Sequence, residues 1–144
     1  MTTTLEHGHL REIAEAGARL LGPDASAEEL FRWTADTFGT DFLIAANMQD
    51  AVLIDVASKA IGAETIAGAQ LKVLFLDTGY HFAETIGTRD AVVDVYNLDV
   101  INVEPEHTVA QQDALLGKNL YASNPAECCR LRKVVPLKAA LAPY

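Results

Sequence analysis

At 144 residues, half of them hydrophobic, the chain carries enough apolar matter for one core of ordinary size, so a single domain is expected. A net charge of -9 argues against non-specific nucleic-acid binding, which needs Lys and Arg to neutralise phosphates, and any anionic ligand has to be met locally. No apolar run approaches the roughly 20 residues that span a bilayer, and the polar start from Met1 to His9 lacks a leader pattern, so the expectation is a cytoplasmic protein without a membrane partner.

Glu6 to Leu21 places Leu10, Ile13, Ala14, Leu20 and Leu21 at helical spacing and stops at Gly22-Pro23, which predicts a peripheral helix. Ser26 and Glu29 form a capping box for a second helix running through Phe31, Trp33 and Phe38 to Gly39, with Trp33 as a core residue. Residues 1–39 are thus an N-terminal helical part, and 40–144 the remaining core.

Asp41 to Ala46 predicts a short strand, followed by the polar turn Asn47-Met48-Gln49-Asp50 and a helix from Ala51 to Ala60. The start of that helix would offer free backbone N–H groups to an anion. Gly62 and Gly68 bracket the connection to Leu71–Leu76, a run rich in Val, Leu and Phe that fits a parallel strand buried on both faces. It ends in Asp77-Thr78-Gly79, a carboxylate, a hydroxyl and an approachable backbone at the strand end, where open α/β sheets bind ligands. Taken alone, three turn-prone residues serve equally well as a plain strand-ending turn.

Ala83 to Tyr96 predicts a third helix, bent or split near Gly87, and Val100 to Val103 a third strand. Thr108 and Gln111 form a second capping box, opening a helix that fades near Gly117. Strands alternating with helices indicate an α/β layered fold with a mainly parallel sheet flanked by helices. His81 and His107 have a modest claim as polar lining near strand ends, while His7 and His9 are expected in solvent.

The only cysteines, Cys128 and Cys129, follow Asn124-Pro125-Ala126-Glu127, a compact helix start with Asn as cap and Pro in the first turn. Near a helix N-terminus, with Arg130, Arg132, Lys133 and Lys138 close behind, their thiolates would be stabilised for metal binding or redox work. Burial as two small hydrophobes is less suited to an adjacent pair, whose side chains point in different directions around a helix. Two thiolates alone do not complete a four-coordinate site.

Three ordered motifs, Asn-Met-Gln-Asp-Ala-Val-Leu at 47 to 53, Leu-Asp-Thr-Gly-Tyr-His-Phe-Ala-Glu-Thr at 76 to 85 and Glu-Cys-Cys-Arg-Leu-Arg-Lys-Val-Val-Pro-Leu at 127 to 137, resemble the adenylyl-sulfate and phosphoadenylyl-sulfate reductase family, in particular its actinobacterial adenylyl-sulfate members. The resemblance implies an adenine-nucleotide α-hydrolase-like fold, with Asn47, Met48, Gln49 and Asp50 as a modified pyrophosphate loop. It implies that Asp77, Thr78, Gly79 and Arg132 border adenylyl sulfate or AMP. It further implies that Cys128 and Cys129 supply two of four ligands of a 4Fe-4S cluster, and that Lys133 acts electrostatically between cluster and substrate.

The implied activity is thioredoxin-dependent reduction of adenylyl sulfate to sulfite and AMP, as in assimilatory sulfate reduction. Two departures qualify it. The family usually places a serine at or just before the loop where Ala45-Ala46 stand here. Family members also continue beyond the point matching Tyr144 with an arginine-bearing segment, a Cys-x-x-Cys pair completing the cluster and a tail carrying the nucleophilic cysteine. The expectation is therefore a chain truncated at its C-terminus relative to the family, with the cluster absent or incomplete and no activity by itself. The alternative is a non-catalytic adenine-nucleotide-binding module of the same fold. Adenylyl sulfate is favoured over its 3'-phosphorylated analogue by the tandem cysteines, and a homo-oligomer is compatible with the sequence.

Overall fold

The computed structural model describes residues 7–65 and 70–144. Glu6 and Gly68, used above as markers, and the side chain of His7 lie outside the described residues.

Helix α1 (His7–Leu21) packs on α2 (Ala27–Phe38), and α2 packs in turn on α3 (Val52–Thr65). The Ser26 capping box forms as its spacing predicts: the Ser26 hydroxyl accepts from the Glu29 N–H and the Glu29 carboxylate accepts from the Ser26 N–H. The Ser26 N–H and then the Ser26 hydroxyl, both donating to the carboxylate, lower the pKa of the Glu29 carboxyl. Trp33 is half-buried, edge-on to Phe38 at 6.0 Å, and lies against Gly17 of α1. A Cβ at Gly17 would overlap the Trp33 indole. Gly17→Ala is therefore expected to cost about 1–3 kcal/mol in urea denaturation and to shift Trp33 emission to the red as α1 moves away. An unchanged spectrum and midpoint would show that α1 is not seated on Trp33.

Three strands, β1 (Ile44–Ala45), β2 (Lys72–Leu76) and β3 (Asp99–Val103), form one parallel sheet in that order. Ile44 pairs with Val73, and Lys72 through Leu76 pair with Asp99 through Val103. Central β2 is the buried strand its composition predicts, with Val73, Leu74 and Phe75 almost wholly excluded from water. Strand β1 is shorter than the predicted Asp41–Ala46. Before Ile44 the chain leaves the ladder, and Lys72 Nζ donates to the Thr40 carbonyl instead.

Helix α3 crosses from β1 to β2 and α4 (Ala83–Tyr96) from β2 to β3. Tyr96 on α4 donates its hydroxyl to the Asp55 carboxylate on α3, which Lys59 also contacts, so the two helices are tied above their apolar faces. Lys59 first, then Tyr96, holds the Asp55 carboxyl down. Helix α4 neither bends nor splits at Gly87: that residue stays helical, and the Thr88 hydroxyl donates to the Glu84 carbonyl one turn back. The core gathers Ile54, Ala57 and Ile61 of α3, Val73 and Phe75 of β2, Val92 and Leu98.

After β3 come α5 (Val109–Leu116), α6 (Leu120–Ser123), α7 (Pro125–Cys129), a π-helical turn (Arg130–Val134) and α8 (Val135–Leu141), which returns against β3. Both predicted caps form, Thr108 over Gln111 and Asn124 over Glu127. The π turn was not foreseen. Its cause is Pro136, which has no N–H for the Arg132 carbonyl and whose ring would press on it, so the helix widens and the Val135 N–H reaches back five residues to Arg130.

Candidate functional site

Two cavities open over the carboxyl ends of the strands. The larger, about 600 Å³, lies beyond β1 and β2 and is walled by Leu53, Ile54, Leu74, Leu76 and Leu137. Asn47, Asp50, Thr78, His81 and Lys133 supply its polar groups. The smaller, about 350 Å³, is lined by Tyr80, Tyr121, Pro125, Cys128, Cys129 and Arg132 together with Thr78 and Lys133. Thr78 and Lys133 line both cavities, so the strand-end turn and the cysteine helix meet at those two side chains.

The turn at 47–50 is closed on itself. Asn47 Oδ1 accepts from the Gln49 N–H at 3.0 Å, and Asp50 Oδ1 accepts from the Val52 N–H at 3.0 Å at the start of α3. The free helix-start amides expected from sequence are thus partly used by the chain's own side chains, and Asp50 brings negative charge where an anion was expected. Met48 adopts φ 58° and is only 1% exposed, so its side chain belongs to the core and not to the ligand surface. Gln49 is exposed and does not line the larger cavity. Asn47 and Asp50 do line it, with Ala45 and Ala46 beside them.

In the second turn Asp77 Oδ1 accepts from the Gly79 N–H at 2.9 Å, and its other oxygen lies 3.8 Å from Arg89. Asp77 therefore shapes the turn, while its neighbour Thr78 faces the cavities. Arg89 was overlooked in the sequence: it donates to Asn102 and Asp90 and covers the Phe75 ring at 5.6 Å. His81 Nε2 lies 3.0 Å from the Leu76 carbonyl, which can only accept, so that nitrogen carries the proton and Nδ1 is left for other partners. His107 contributes its backbone carbonyl to Arg132 and lies outside both cavities.

Cys128 is buried and Cys129 exposed, as an adjacent pair on one helix must be. Burial pushes the Tyr80 phenol upward. Lys133 is exposed at the junction of the cavities. Arg132, one residue earlier, is 3% exposed: it lines the smaller cavity but donates to acceptors inside the protein. A four-iron cluster needs four thiolates, whereas this cavity offers two, and among the described residues no third His, Cys, Asp or Glu joins them. The donor set fits half of such a site and does not complete one.

Residues 41–144 match the phosphoadenosine phosphosulfate reductase domain family. The chain is 62% identical over 143 residues to an adenosine 5'-phosphosulfate reductase of Mycobacteroides abscessus, covering 99% of this chain and 57% of that protein. It is 61% identical to the protein of the same name from Mycolicibacterium smegmatis, again over 99% of this chain and 57% of the relative. Against the one from Mycobacterium tuberculosis the identity is 49% over 160 residues, with 99% and 60% covered. The chain thus spans under two thirds of the length of these curated relatives. Its fold matches the crystal structure of a phosphoadenylyl-sulfate reductase from Candida auris in a phosphate complex, with TM-score 0.70, 22% identity, 97% of this chain and 64% of that one covered. With the three-stranded parallel sheet, the turns at 47–50 and 77–79 and the cysteine helix in that order, the chain belongs to the phosphoadenosine phosphosulfate reductase domain family.

Proposed function

We propose that these residues form the nucleotide-binding part of a cytoplasmic, thioredoxin-dependent adenylyl-sulfate reductase that yields sulfite and AMP. The observation that carries this reading is the meeting of the two cavities at Thr78 and Lys133, one suited to a nucleotide and the other holding the cysteine pair. A volume near 600 Å³ with apolar walls and few polar groups suits an adenine nucleotide. Asp50 and Asn47 are placed to hydrogen-bond its base or ribose, and the Thr78 hydroxyl and Lys133 ammonium to meet its phosphosulfate end.

In the proposed reaction a cysteine thiolate attacks the sulfur of adenylyl sulfate, the sulfur–oxygen bond breaks, and AMP leaves with the electron pair. Reduced thioredoxin then attacks the resulting S-sulfocysteine, releases sulfite and becomes the oxidised partner. The nucleophile is not assigned within residues 1–144. Cys128 and Cys129 would instead hold two irons of a 4Fe-4S cluster, the remaining ligands coming from outside these residues. Lys133 would lower the cost of holding an anionic substrate beside that anionic group.

Isothermal titration with AMP tests the site. Thr78→Ala is expected to weaken binding about fivefold by removing one hydroxyl. For adenylyl sulfate Lys133→Ala should weaken binding about tenfold, whereas Lys138→Ala should change it less than about twofold, because only Lys133 lines the cavities. Equal effects of the two lysines, or unchanged affinity in folded Thr78→Ala, would remove the nucleotide from this cavity.

A further inference from the structure

Arg132 makes a set of contacts that the reaction scheme above does not use. Its Nε donates to the Thr78 carbonyl, and Nη1 donates to the His107 carbonyl at 3.1 Å and to Gln112 Oε1 at 3.0 Å. Every acceptor is neutral, and among the described residues no carboxylate pairs with the guanidinium. A buried charge held this way is costly unless its donors are used, and here three segments converge to use them: the strand-end turn, the loop before α5, and α5 itself. The remaining nitrogen, Nη2, lies over Gly79, where a Cβ would come within 2.8 Å of it. Gly79 has φ 77°, so glycine serves here both the turn and the approach of Arg132.

The same guanidinium covers the Tyr80 ring at 5.3 Å, and Tyr80 in turn packs edge-on against Tyr121 at 5.7 Å. Tyr80 and Tyr121 line the cavity into which Cys128 and Cys129 open. Arg132 thus fastens the π turn to residues 78–80, and Thr78 and Tyr80 line the same cavity as the buried Cys128 and the exposed Cys129.

We propose that Arg132 is a positioning residue and not a nucleotide contact: acting through Thr78 and Tyr80, it seats the cysteine helix so that Lys133 and the two thiols keep fixed and unequal positions over the strand-end turn. Gly79 is its necessary counterpart, and Gln112 its anchor on α5. This rests on the nucleotide reading only for the choice of AMP as a probe.

The test compares iodoacetamide labelling of Cys128 and Cys129 by peptide mass spectrometry, at fixed pH, with AMP titration and thermal melting on the same samples. In the parent chain Cys129 is expected to label at least about tenfold faster than Cys128. Arg132→Met should bring the two rates within about threefold of each other while changing AMP affinity less than about threefold, and Arg132→Lys should recover part of the difference at the same melting temperature. If Arg132→Met fails to fold, Gly79→Ala displaces Nη2 without touching either thiol, and the same loss of selectivity is expected in that folded variant. An unchanged labelling ratio in a folded variant, or AMP binding weakened tenfold or more with the ratio intact, would overturn the proposal. Absence of AMP binding in the parent would defeat the nucleotide reading alone, since the labelling ratio still decides the role of Arg132.

Discussion

Phe75→Ala is expected to destabilise the domain by about 3–5 kcal/mol, against a total stability of roughly 5–15 kcal/mol for a domain of ordinary size. Phe75 is fully buried at the centre of β2, the strand that both others pair with. Its ring lies 5.0 Å from that of His81 and 5.6 Å from the Arg89 guanidinium, so truncation leaves a void and also takes the support from two polar groups near the strand end. The cavity over β1 and β2 should loosen along with the core, because His81 lines it. Urea denaturation followed by circular dichroism measures the loss. A shift of less than about 1 kcal/mol would mean that the sheet is not the centre of stability described here.

Much of this fold can be seen in the residue order, because its cues are local. The apolar run at Leu71–Leu76 reads as a strand covered on both faces, and Ser26, Thr108 and Asn124 each cap the helix that their spacing predicts. The features that escaped depend on contacts distant in sequence. Arg132 sits in a basic cluster beside the cysteines and is expected at the ligand, yet it is buried and donates to carbonyls of residues 54 and 25 positions away. Met48 sits in a polar turn and looks available, yet φ 58° turns its side chain into the core.

The π turn had a signal, Pro136 inside a helical run, but Pro136 alone does not say whether a helix ends, kinks or widens. The candidate site was legible to a similar degree. Of the expected site residues, Asn47, Asp50, Thr78, Cys128, Cys129, Arg132 and Lys133 line the cavities. Asp77 and Gly79 instead shape the turn, and the apolar wall and the pair Tyr80 and Tyr121 become visible only once the elements are packed.

A polypeptide of these 144 residues, purified without oxygen, is expected to be cluster-free, with Cys128 and Cys129 as thiols, and to form no sulfite from adenylyl sulfate. The argument is a count of donors. A cubane cluster takes four protein thiolates, and the sequence holds two cysteines, adjacent on one helix. One copy could at most ligate two irons, leaving the others to exogenous thiols or to a second polypeptide. One thiol of the pair is exposed, so a half-ligated cluster would stand open to solvent and oxygen. The net charge of -9 opposes close approach of a second copy, and the nearby cations offset it only in part: Arg130 is paired with Glu127 at 2.7 Å and Arg132 is spent on internal acceptors, which leaves the exposed Lys133 beside the pair. Iron and sulfide analysis, the thiolate-to-iron charge-transfer absorbance and a thiol titration under denaturing conditions give the readout. Near-zero iron with two titratable thiols per chain is the expected result. About four irons per chain, surviving gel filtration, would sink the donor count and require ligands other than the cysteine pair.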